Sequence, residues 1–159
     1  GLVWAARPTA PNEPIYVRGR SCDLIHLRPL SEITGGSLYG LQKGEAARQA
    51  RLLIPDDIQI TNLGEDFEDF SDTAAAIANL DLVISIDTSV AHLSGAMGKP
   101  TWLLLQSISD FRWLKDREDT PWYPTMRLFR QQRPGEWPGV LARVCSEIRS
   151  LLSRGSTIR

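Results

Sequence analysis

Two short apolar runs constrain this fold most: LVISI at Leu82–Ile86 and TWLLL at Thr101–Leu105. Neither alternates polar with apolar residues, and each is too short for a buried helix. Such runs suit strands covered on both faces, the situation of a parallel sheet layered between helices. Between them stands DTSVAHLSGAMGKP, Asp87 to Pro100. Its hydroxyl residues suit a helix start, and Gly98 with Pro100 just beyond suits a helix stop. Strand, helix and strand in that order form one right-handed βαβ unit.

The same alternation runs through the rest of the 159 residues. Strands are expected at Leu2 to Ala5, Ser37 to Leu41, Ile58 to Asn62 and Arg127 to Arg130. Helical spacing covers Cys22 to Ile33 (with Pro29 as an interruption), Lys43 to Leu53, Ala74 to Asn79, Ser89 to Met97 and Val140 to Leu152. Ser71-Asp72-Thr73 supplies cap residues for the third of these. The expected fold class is α/β, a three-layer, Rossmann-like parallel sheet forming one domain over residues 1–152, with 153–159 as a frayed tail. The opening GLVWAA begins without Met on what reads as a sheet strand, so the chain is expected to be a piece of a longer polypeptide.

Composition narrows the function classes. A net charge of −1 gives no electrostatic case for nucleic acid. No apolar run approaches 18 residues and no signal-peptide pattern is visible, so a cytoplasmic chain without a membrane span is expected. Cys22 and Cys145 are far apart and outside any metal-ligand spacing, which suits two reduced thiols. GxSxG, P-loop and HExxH patterns are lacking. No glycine-rich turn follows the first strand, which disfavours a dinucleotide site.

In open parallel sheets, ligands sit at the carboxyl ends of the strands. Asp87 falls at such an end, with Thr88 and Ser89 at the start of the next helix. The first amides of a helix lack intrahelical partners and carry the positive end of its dipole, so an anion is favoured there. His92 lies three to four residues on, sharing their face. The same four residues equally suit a plain scaffold, in which Thr88 or Ser89 caps the helix and His92 is a satisfied buried histidine. Ala91, Ser94, Gly95 and Ala96 keep this helix narrow, which suits close packing.

The run DTAAAIANLDLVISIDTSVAHLSGAMGKPTWLLL, followed by DFRWLKDREDTPWYPTMRLFRQ, resembles the C-terminal glycosyltransferase-like domain of bacterial tetratricopeptide-repeat proteins. That domain is similar to ADP-heptose:lipopolysaccharide heptosyltransferases of the family 9 type and, more distantly, to O-linked N-acetylglucosamine transferases. The likeness is strongest over Asp72 to Gln131. It implies the C-terminal half of a GT-B glycosyltransferase, which holds a nucleotide diphosphate sugar as substrate and needs no metal or other cofactor. Asp87, Thr88, Ser89 and His92 match a D-[TS]-x-x-x-H signature that lies against the donor's diphosphate and sugar. The implied partners are the N-terminal GT-B half, which supplies the general base, and the tetratricopeptide repeats.

Further donor contacts are expected from neighbouring loops. The first loop, WAARPTAPNEP, departs from the family in carrying Ala6 for the usual Gly and in lacking a lysine; Arg7, Arg18 or Arg20 would supply the charge. Gln42 and Lys43 could meet a nucleobase or ribose, and equally suit a solvated helix start. Asp72 reads mainly as an N-cap, with ribose contact as a second possibility. Asp66, Glu68 and Asp69 read as a solvated acidic loop rather than a metal cluster. Trp113, Trp122 and Tyr123 suit packing at the sheet's end, or a surface turned toward the other half.

Overall fold

The computed structural model describes residues 1–48 and 60–155. Its centre is a six-stranded parallel sheet: β1 (Leu2–Val3), β2 (Leu38–Gly40), β3 (Ile60–Asn62), β4 (Val83–Ile86), β5 (Thr101–Leu105) and β6 (Met126–Arg130). The spatial order is β3-β2-β1-β4-β5-β6. Leu2 therefore stands between Gly40 on one side and Ile84 on the other. The winding direction reverses between β1 and β4, as in doubly wound Rossmann-like sheets.

Among the described residues, the helices that cover the sheet include α1 (Arg28–Ser31), α2 (Phe70–Ala78), α3 (Ser89–Ala96) and α4 (Trp137–Ser153). Every residue of β4 and β5 is buried, which is what their unbroken apolar runs require. Side chains alternate between the two faces. Ile84, Ile86, Trp102, Leu104 and Phe129 pack with Leu30 of α1 and with Trp137, Val140, Leu141 and Val144 of α4. On the opposite face Val3 and Val83 meet Ile77 of α2, while Leu103, Leu105 and Leu128 meet Ala91 of α3. Each large apolar side chain buried in these layers contributes roughly 1.5–3 kcal/mol relative to exposure. Cys22 and Cys145 are free, buried thiols within the first layer, and burial pushes Cys22 up to about 12.

Several boundaries differ from those expected, each for a local reason. Pro29 occupies the first turn of α1, where its missing N–H costs nothing, and a 3₁₀ turn at Leu24–Leu27 precedes it. α2 begins at Phe70 rather than Ala74. Its N-cap is Asp69, not Asp72: Asp69 accepts from Ser71 N at 2.7 Å and from Asp72 N at 3.4 Å. Asp72 closes the capping box by accepting from Asp69 N, and it takes Glu68 N at 2.7 Å as well. Lys99 Nζ donates to Ala78 O and Leu80 O, satisfying carbonyls at the far end of α2. α4 starts three residues before Val140, where the Glu136 side chain accepts from Gly139 N at 2.9 Å. Residues 45–48 are helical; the rest of the helix expected to Leu53, the start of the strand expected at Ile58 and residues 156–159 lie outside the described residues.

Candidate functional site

The carboxyl ends of β1 and β4 lie side by side where the winding reverses, and a crevice of about 390 Å³ opens there. Ala5, Ala6 and Arg7 form one wall in the loop after β1. Asp87, Thr88 and Ser89 form the other, with Gln42 and Lys43 from the loop after β2 between them. Thr73 of α2 closes the side.

The start of α3 is open toward this space. Thr88 is its N-cap in an extended conformation (φ −141°, ψ 170°), but its side chain does not cap the helix. The Thr88 hydroxyl lies 3.2 Å from Ser85 Oγ, and the Ser85 hydroxyl donates to Ile86 O at 2.7 Å. Having spent its proton, Ser85 is the acceptor of the Thr88 O–H. The first amide to close on the helix is that of Ala91, onto Thr88 O at 3.1 Å. The Ser89 and Val90 amides precede that closure, on residues that line the crevice, at the positive end of the helix dipole.

Among the three arginines considered for the first loop, Arg20 is the one anchored at the helix start. Its Nη1 donates to Asp87 O at 3.0 Å and its Nε to Val17 O at 3.0 Å. The guanidinium therefore sits on the backbone at the strand end and lines the crevice. Arg7 also lines it, but it is paired with Glu13 and donates to Pro8 O at 3.3 Å. Arg18 is not part of the lining.

Gln42 and Lys43, in the loop after β2, serve the backbone rather than an open contact. Gln42 is 7% exposed; its Oε1 accepts from Trp4 N and Ala5 N, and its Nε2 donates to Ala5 O and Lys43 O. Lys43 Nζ donates to Phe67 O and, at 3.4 Å, to Glu68 O. Asp72, occupied by its capping box, faces a separate open groove with Asp66 and Glu68. Among the described residues, no cluster of three or more His, Cys, Asp or Glu could hold a metal ion.

Asp87 is 5% exposed, and His92 Nε2 lies 3.8 Å from its Oδ1. His92 is not part of the crevice lining. Its ring stacks on Trp113 at 5.2 Å and 27°, and its Nδ1 is 2.9 Å from the Tyr123 hydroxyl. Gly95 makes room for this: a Cβ there would stand 2.6 Å from Tyr123 Cγ. Burial pushes the His92 pKa below the ordinary histidine value, with Asp87 acting in the opposite direction. Trp113 is fully buried, whereas Trp122 is 60% exposed and Phe111 81% exposed on the same segment.

Sequence reasoning singled out the DTS segment and named Arg20 only among three arginines. It missed Ser85 as the partner of Thr88 and Tyr123 as the partner of His92. The small residue at Gly95 was a visible sign of close approach, but nothing local says which side chain approaches.

Over 82 residues the chain is 35% identical to Protein FlbA of Caulobacter vibrioides. That stretch is 51% of this chain and 13% of FlbA, so the chain spans a small part of that relative's length. No family model matches the chain. No solved structure matches it.

Proposed function

We propose that this chain is the donor-binding half of a GT-B glycosyltransferase of heptosyltransferase type, acting within a longer protein. The observation that carries this reading is the uncapped start of α3, set beside Arg20 in a crevice at the β1/β4 reversal. The amides of Ser89 and Val90, the guanidinium of Arg20 and the hydroxyl of Ser89 suit a diphosphate. When the sugar leaves for an acceptor hydroxyl, negative charge grows on the nucleoside diphosphate, and prearranged donors of this kind stabilise it. They meet that charge without a metal ion. The acceptor, the general base and any tetratricopeptide segment belong to the remainder of the longer protein, so these residues bind a donor without turning it over.

A second reading, a half-fold kept as a scaffold, is favoured by one observation. Gln42, Lys43 and Arg7 are all engaged with the protein itself. A titration with ADP, UDP and GDP followed by amide chemical shifts separates the two. Donor binding moves the Ser89 and Val90 amides with at least one nucleotide; a scaffold leaves them unmoved at millimolar concentration.

A further inference from the structure

We propose that Tyr123 is a positioning residue for the crevice, holding the His92 imidazole as its Nε2–H tautomer against the Asp87 carboxylate. Three contacts fix this ring. The Tyr123 hydroxyl is 2.9 Å from Nδ1, the Trp113 ring stacks on one face, and Asp87 Oδ1 is 3.8 Å from Nε2. A bare Nε2 lone pair turned toward a buried carboxylate is repelled, so the single proton of the neutral ring belongs on Nε2. Nδ1 is then an acceptor, and the Tyr123 O–H is the donor that meets it.

The sequence builds this arrangement from three separate elements. His92 and Gly95 are one turn apart on α3, and the absence of a side chain at Gly95 lets the Tyr123 ring lie against the helix. Trp113 comes from the 3₁₀ turn after β5, and Asp87 from the end of β4. The other charged groups acting on the ring are Arg112 and Asp110, from that same 3₁₀ turn.

Resting on the donor reading, the arrangement has a consequence for an anion. Asp87 places a carboxylate in the wall of a crevice meant for phosphates, which works against binding. A proton taken up by His92 converts the pair into imidazolium and carboxylate and cancels that charge. Tyr123 accommodates both states, because its hydroxyl donates to a bare Nδ1 and accepts from a protonated one. Anion binding and proton uptake at His92 are thereby coupled, and each favours the other.

The first test needs no nucleotide. Nitrogen-15 imidazole spectra of the protein at about pH 8, where the ring is neutral, are expected to show His92 protonated at Nε2. Tyr123→Phe is expected to leave the proton on Nε2 but to move the Nδ1 resonance to that of an acceptor that receives no hydrogen bond. Gly95→Ala, which displaces the Tyr123 ring while keeping its hydroxyl, is expected to do the same. A wild-type ring protonated at Nδ1, or a Tyr123→Phe spectrum identical to wild type, overturns the proposal. The second test measures the affinity of whichever of ADP, UDP and GDP binds, at pH 8 and pH 6. An increase roughly threefold larger in wild type than in His92→Gln supports the coupling, and equal increases overturn it. Absence of binding by ADP, UDP and GDP alike would contradict the donor reading, while the tautomer spectra still decide the role of Tyr123.

Discussion

Gln42 and Ala5 are joined by a two-bond ring across neighbouring strand ends: Ala5 N donates to Gln42 Oε1 at 3.0 Å, and Gln42 Nε2 donates to Ala5 O at 3.1 Å. The side chain thus continues the β1–β2 ladder beyond its last backbone pair and fixes the loop that walls the crevice. Gln42→Leu keeps similar bulk but strands the amides of Trp4 and Ala5. An unpaired buried group costs about 1–3 kcal/mol; the Trp4 amide bears this in full and the part-buried Ala5 amide only in part, so urea unfolding is expected to show a loss of about 2–4 kcal/mol.

Arg20 separates structure from recognition differently. Its bond to Asp87 O is a single charge-assisted contact on a partly buried side chain, so Arg20→Ala is expected to cost little in folding. A charged hydrogen bond to a ligand phosphate is typically worth about 1.5–3 kcal/mol, so nucleoside diphosphate affinity should fall at least tenfold. Calorimetric titration of wild type and Arg20→Ala checks this. Arg7→Ala, removing a side chain already paired with Glu13, is expected to change affinity less.

His92 gives the fold a pH dependence with a defined sign. Its folded pKa is depressed, chiefly by burial. The unfolded chain therefore binds this proton more readily, and stability falls as pH drops below about 6.5. Above that value the ring is neutral in both states and contributes no slope. Denaturation midpoints measured from pH 8 to pH 5.5 should decline in wild type, with a smaller decline in His92→Gln.

The sheet was the most legible part of the sequence because its physics is local. LVISI and TWLLL need cover on both faces, and DTSVAHLSGAMGKP between them leaves a helix as the only connection that supplies it. The strand-end position of Asp87 followed from the same pattern. The cap of α2 was less legible, since DFSDT offers Asp69, Ser71 and Asp72 within four residues and the capping box decides among them. Side-chain partners across the fold were not legible at all. Gln42 is 37 residues from Ala5, Arg20 is 67 from Asp87 and Tyr123 is 31 from His92. Such pairings are set by strand order and loop path, which no local window contains.

The most direct measurement is a crystal structure of this chain soaked with a nucleoside diphosphate. Diphosphate density is expected at the start of α3, within hydrogen-bond distance of the Ser89 and Val90 amides and of the Arg20 guanidinium. Full occupancy of the nucleotide elsewhere on the molecule, with that helix start left empty, would contradict the donor-binding assignment.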